Sequence, residues 1–428
     1  MNAVSLAEPK KRVLLVSLHH PELVRGGAQL CCYELFHGLK EEPGIEPFFL
    51  AATDQTYPAL YKPGAVITGF EGRENEFLYL SADYDFLWHR TTSPRHVEAF
   101  AELLRTLQPA VVHFQHFLFL GIDLLSVTRR VLPDCRIVFT FHEYMTMCDA
   151  RGHMVRLTDG SLCSHPSPIR CHQCLPNRTP DEFTMRKSWF LRHLNVVDRY
   201  ACACRFQIEH HVAWGIPREK IFHVRNGQLS HAPAEPLPVS PGPKNRFGFF
   251  GQLIDAKGVH IILRAARILR SEGFEDFTIE FNGDNLRFAS PAVREEFEAF
   301  FAEEERRPPV ERRVFFNGSY QVDQIGPRMA RIDWSLVPST WWEAFGLVIS
   351  EAWMFRRPVI CSNIGGMAER IEHDVNGLHF QVSDPRSLAM TIKRAATETG
   401  LWERLSAAAP EPPSRTEVAR GYRALYGI

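Results

Sequence analysis

Short unbroken runs of Val, Ile, Leu and Phe return along this chain, separated by glycine-bearing loops and helix-length stretches. The first, residues 12–18 (RVLLVSL), leads through HHPELVRGGAQ into LCCYELFHGLKEE, which reads as strand, loop and helix. PAVVHF (109–114), GIDLLSVTRRVL and RIVFTF (136–141) repeat that order. Strands that are apolar on both faces and alternate with helices predict a parallel sheet covered on both sides, an α/β fold.

The pattern occurs twice. Prolines at 233, 236, 238, 241 and 243 crowd the segment SHAPAEPLPVSPGPKNR (230–246), which neither a helix nor a central strand tolerates, so it reads as a linker. RFGFFGQLIDAKGVHIILRAARILRSEG then begins a second strand, glycine loop and helix, and FTIEFNG, RVFFNG, WSLVPS, PVICSN and GLHF continue as strands. A chain of 428 residues is long for one hydrophobic core. The predicted architecture is two Rossmann-like, doubly wound parallel-sheet domains, residues 1–236 and 237–411, facing across a cleft that would hold the active site. A last helix, 412–428, is expected to return to the first domain.

Totals exclude some functions. With 49 basic and 50 acidic residues the chain lacks the positive charge of a dedicated nucleic-acid binder. No apolar run approaches the roughly 18–20 residues that span a bilayer, and MNAVSLAEPKKRVLLVS has no secretory pattern, so a cytosolic protein is expected. Its 10 cysteines then read as thiols or metal ligands rather than disulfides.

In STWWEAFGLVISEAW (339–353) two carboxylates, Glu343 and Glu351, stand eight positions apart. Glu343 falls in the loop after a predicted strand and Glu351 inside the helix that follows. Were both helical, they would lie about 12 Å apart along the axis, too far to flank one glycosidic bond. One reading gives them different parts of one elongated ligand, with the amides of Phe345, Gly346 and Leu347 at the helix start facing its phosphates. The other makes Glu343 a helix-end charge and Glu351 a solvated residue.

GFFGQLIDAKG, PSTWWEAFGLVISEA and SNIGGMAERIEHDVNGLHF, with VRNGQ closing the first half and GGAQ after the first strand, together resemble glycosyltransferase family 4, whose members have the GT-B fold. The resemblance runs over nearly the whole chain. It implies a retaining hexosyltransferase-like enzyme that uses a nucleotide-diphosphate sugar and needs no catalytic metal. Matched by position, Glu343 would hold hydroxyls of the donor sugar, Glu351 the ribose, and Lys257 the diphosphate. Lys257 and the helix-start amides would then stabilise charge on the departing nucleotide. Gly26 and Gly27 would allow close approach of the donor, although a Gly-Gly pair is also a common turn. His142, ending VFTFHEY, would line the catalytic centre; otherwise it caps a strand. His19, His20, His113 and His116 also follow or end strands, where an acceptor pocket and local packing are equal explanations. Gln252 departs from the family pattern, which commonly places Arg there, and brings hydrogen-bond donors without charge.

Cys148, Cys163, Cys171 and Cys174 form C-x14-C-x7-C-x2-C in a stretch with little periodicity. A loop of this length needs a tie, which a structural all-thiolate zinc site would supply, with His165 or His172 as substitutes; free thiols are the alternative. Cys202 and Cys204, in YACACRF, read as core.

The reading that absorbs most of these features is a glycosyltransferase acting on a glycan or lipid-linked acceptor, with peripheral contact at the inner face of a membrane and no nucleic acid. Closure around the donor would exclude water. A catalytically degenerate nucleotide-sugar-binding protein, for which Gln252 speaks, and a nucleotide-sugar epimerase of the same fold are the alternatives.

Overall fold

The computed structural model describes residues 9–53, 64–70, 72–81, 84–227 and 242–428. The linker expected at 230–246 therefore lies, through residue 241, outside the described residues. The chain divides into two compact units, Met1–Leu229 with Pro413–Ile428, and Ser230–Pro412.

The first unit contains β1 (Lys11–Ser17), β2 (Ile45–Thr53), β3 (Ile67–Gly69), β4 (Glu76–Leu80), the short pair β5 (Tyr84–Asp85) and β6 (Arg90–Thr91), β7 (Val111–Phe114), β8 (Arg136–Phe141), β9 (Arg199–Cys202) and β10 (Ile221–His223). Its helices are α1 (Gly27–Glu41), α2 (Pro94–Leu107), α3 (Leu124–Val131), α4 (Pro168–Cys174), α5 (Pro180–Leu194) and α6 (Arg205–Trp214). The main sheet runs β10-β9-β8-β7-β1-β2-β4-β3, parallel except for the antiparallel edge strand β3. Val13 to Val16 of β1 are fully buried, as a central strand covered on both faces requires. Cys32, Leu35, Phe36 and Leu39 give α1 its inward stripe at helical spacing.

The second unit contains β11 (Arg246–Phe250), β12 (Thr278–Asn282), β13 (Val314–Phe316), β14 (Trp334–Val337), β15 (Val359–Ser362) and β16 (Gly377–Phe380). Around them stand α7 (Val259–Ser271), α8 (Pro291–Arg306), α9 (Ile325–Ala330), α10 (Leu347–Met354), α11 (Gly365–Arg370), α12 (Pro385–Thr397) and α13 (Leu401–Ala407). All strands are parallel in the order β13-β12-β11-β14-β15-β16. That order reverses direction between β11 and β14, where the loops leaving the strands part and leave a crevice. In the first unit the corresponding reversal lies between β1 and β7.

The last helix, α14 (Arg415–Tyr426), belongs to the first unit and buries Ala419, Tyr422, Leu425 and Tyr426 in its core. Ion pairs from Arg415 to Glu34 and from Arg423 to Glu42 fix it along α1.

The cysteine-bearing stretch is more regular than its sequence suggests. Ser167 accepts the amide of Arg170 and Pro168 stands in the first turn, which is enough to start α4. A β-bridge between Val155 and Leu162 makes a hairpin ahead of it. The buried Asp149 carboxylate faces the guanidinium groups of Arg178 and Arg186, and Arg186 also donates to the carbonyls of Met145 and Thr146. These charges supply a tie that sequence reading sought only in a metal.

Candidate active site

In the second unit the loops after β11 and β14 flank the sheet's reversal point. Gly258, in the left-handed region at φ 71°, lies so close to Pro338 that a Cβ would collide with its carbonyl. Across the same contact Thr340 donates its amide to Ala256 O at 2.9 Å and its hydroxyl to Asp255 O at 3.1 Å. The two loops are thereby stitched together, and Lys257 comes to stand beside Glu343.

Lys257 Nζ lies 2.7 Å from Glu343 Oε2. The same oxygen accepts Ser339 Oγ at 3.1 Å and the indole N–H of Trp341 at 3.0 Å. Three donors on one oxygen hold this almost buried carboxylate in one orientation. The Lys257 ammonium also sits 5.6 Å from the Trp341 ring centre, so this indole is a packing and orienting group.

Glu343 precedes α10 in a loop, and Glu351 lies within α10, half-buried. Gly346 is the residue at which α10 begins, so the amides of Leu347 and the residues just after it begin the helix. Phe345 is buried just before it. Arg370, at the end of α11, donates to the carbonyls of Phe345 and Gly346 at 3.0 and 2.9 Å and lies 3.7 Å from the Phe345 ring centre. A Cβ on Gly366 would collide with Ala344 O, and the Gly366 amide donates to Glu343 O at 2.8 Å. The turn opening α11 thus supports the backbone that carries Glu343. Gln252, just beyond β11, is exposed.

In the first unit Gly26 and Gly27 begin α1 in the loop after β1, in extended backbone at Gly26, where a Cβ would meet the Gln29 side chain. His142 follows β8, and its Nε2 lies 2.5 Å from Gln115 Oε1 after β7. Burial, with the neighbouring His116 second, pushes the His142 imidazole down to about 3, so it is neutral near pH 7. His116 Nδ1 accepts the amides of Phe117 and Leu118, which leaves the proton on Nε2, 3.4 Å from Glu143 Oε1. His20 and His113 are core groups: the first bonds Glu76 at 2.9 Å, the second bonds Tyr426 and Thr140 at 2.8 and 2.7 Å. His19 is buried against Ala52 O. Gln115 and Glu143 escaped sequence reading, although each stands beside a histidine that it singled out.

Cys148, Cys163, Cys171 and Cys174 are half-buried and unbridged, on the turn after β8, the hairpin and α4. Among the described residues no group of three or more side chains stands ready as metal ligands. Cys202 ends β9, fully buried, and Cys204 caps α6 by accepting the Gln207 amide. Among the described residues no helix is long and apolar enough to cross a membrane.

Comparison with known proteins agrees on both halves. Residues 25–227 match the model described as Glycosyltransferase Family 4, and residues 237–411 that described as glycosyl transferases group 1. An uncharacterized glycosyltransferase of Methanocaldococcus jannaschii is 28% identical over 155 residues, 36% of each chain. A glycogen synthase of Mycobacterium tuberculosis is 25% identical over 224 residues, 52% of this chain and 50% of that one. The matches therefore span half or less of the length of these curated relatives. Among solved structures, Anabaena HepE in complex with UDP superposes with TM-score 0.67 at 17% identity, covering 98% of this chain and 100% of that one. Sucrose-phosphate synthase of Thermosynechococcus elongatus gives 0.66 at 16% identity, covering 98% and 100%. These likenesses show the fold. Both sheets and both matched halves place the chain among the GT-B glycosyltransferases, in the family-4 group.

Proposed function

We propose that the chain transfers a hexose, with retention of configuration, from a nucleotide-diphosphate sugar to a glycan or lipid-linked acceptor. The observation that carries this reading is the Lys257–Glu343 pair beside the start of α10. Glu343 Oε2 is fully engaged by its three donors, which leaves Oε1 to accept a hydroxyl of the donor sugar. The half-exposed Lys257 and the amides opening α10 are the groups that would meet a diphosphate leaving group, in a transfer that the family resemblance implies needs no catalytic metal. Glu351, one turn into α10, takes the ribose. Neutral His142 and Gln115 line the acceptor side, and Gly26 and Gly27 let the chain pass close to the donor. UDP, seen with Anabaena HepE, is the first nucleotide to try. A lipid-linked acceptor would place the work in the cytoplasm at the inner face of the membrane.

One observation favours the degenerate alternative. Lys257 is neutralised by Glu343, and Gln252 adds no second cation, so the phosphate site has little net charge. A panel of nucleotide-diphosphate sugars, read by thermal shift and by mass spectrometry of products with glycan and lipid-linked acceptors, decides between them. A new glycoside supports transfer, a nucleotide sugar of unchanged mass but inverted at one carbon, read by NMR, supports epimerisation, and a thermal shift without product supports binding alone.

A further inference from the structure

The excursion between β8 and α5 is long for the little apolar packing it has. α4 buries none of its residues, and its one large aliphatic side chain, Ile169, is 67% exposed. A segment this poor in core needs another kind of fastening. Polar contacts give part of it: Asp149 holds Arg178, and Arg156 of the hairpin donates to Gln173 of α4 at 3.2 Å. Those contacts tie the hairpin to α4, and the turn after β8 to the residues that follow α4, and the four thiols stand on these same pieces. Cys171 and Cys174 share one face of α4 at i,i+3 spacing. Cys163 follows the hairpin bridge, its amide bound to Met154 O, and Cys148 adjoins Asp149. Cys171 is within electrostatic reach of the other three sulfurs, and Cys163 of Cys148 and Cys174.

Two of these thiols now point at carbonyls, Cys148 at Ala150 O, 3.7 Å away, and Cys163 at His165 O, 3.3 Å away. Only a protonated sulfur makes such a bond. Among the described residues no three such side chains surround one point, so binding an ion requires these bonds to open and the sulfurs to draw together. Four soft sulfur donors and no carboxylate among them suit zinc.

We propose that Cys148, Cys163, Cys171 and Cys174 bind one zinc ion as four thiolates, releasing their protons to solvent, and that the ion fastens the excursion that follows His142 and Glu143. The proposal is independent of the sugar chemistry.

Protein purified without chelator is expected to carry about one zinc per chain by elemental analysis. Cys171→Ser and Cys174→Ser should lose that zinc, and Cys31→Ser, on α1, should keep it. As a measurement that does not depend on the serine variants folding, the wild-type chain is also titrated with an organomercurial while a chromophoric chelator reports free zinc. Release of zinc in step with thiol modification supports the site. Folded protein that holds almost no zinc and takes up none on dialysis against it overturns the proposal. So do excursion thiols that react at one rate with a disulfide reagent whether zinc is present or not.

Discussion

Glu343 and Lys257 are one unit of chemistry, because each is the other's counter-ion, the carboxylate nearly buried and the ammonium half-exposed. Truncating either strands a charge, so the two losses should not add. Lys257→Ala and Glu343→Ala are each expected to lower kcat/KM by about 100-fold or more, and the double variant to fall short of the product of the two. A double-mutant cycle on kcat/KM checks this, and fully additive losses would show that the pair acts as two separate groups. Gln252 invites the opposite experiment. Restoring a guanidinium there adds an unpaired cation at the exposed end of β11, so Gln252→Arg should tighten UDP binding about tenfold at low salt, an advantage that shrinks as salt rises. Calorimetry at two ionic strengths reads both, and equal affinity in both proteins would remove Gln252 as the reason for weak donor binding.

At the scale of elements, the excursion shows how charge replaces core. Asp149 stands between Arg178 and Arg186, with side-chain exposures of 8%, 21% and 4%. Asp149→Asn leaves two partly buried guanidinium groups facing each other, and should cost about 3–5 kcal/mol in the stability of the first unit. Urea unfolding measures it, and early proteolytic cutting within 150–178 should accompany it. The strands that sequence reading found best are the central ones: VVHF, RIVFTF and FGFF are apolar on both faces because helices cover both sides. The side of the first sheet beyond β1 was missed, since Glu46 and Pro47 interrupt β2 just after Ile45, and β3 is a three-residue edge. Glu343 and Glu351 were visible through the loop-then-helix pattern around them. The pairing of Glu343 with Lys257 was not, because it crosses 86 positions and depends on Gly258 yielding to Pro338 O. Likewise α4 depends on one serine cap that no periodicity announces.

Across the whole molecule, the first unit is closed by the end of the chain and lined with histidines that cannot charge. Tyr426 of α14 bonds His113 of β7, and Tyr422 bonds Thr140 of β8, so the last turn of the chain completes the middle of the sheet. Burial drives His113 well below its ordinary range, His89 to about 2 and His211 to about 3. In the unfolded chain the same imidazoles bind protons below about pH 6.5. The unfolded state then holds more protons than the folded one, so the stability these groups leave intact above about pH 6.5 declines as pH falls toward 3. Each contributes a slope of up to about 1.4 kcal/mol per pH unit. Asp123, raised to about 6 by burial, takes up a proton in the folded state and offsets one of them in part. Between pH 7 and pH 5 most other carboxylates stay ionised, so the histidines dominate that interval. The urea midpoint of the first unit, followed by amide exchange of β7 and β8, should drop clearly over it, while the second unit, where His260 and His379 are half-buried and lowered by burial, moves less. Equal movement of both units would mean that the buried histidines do not govern the acid response. An unchanged midpoint would mean that they take up protons without unfolding, contrary to the burial that holds them neutral.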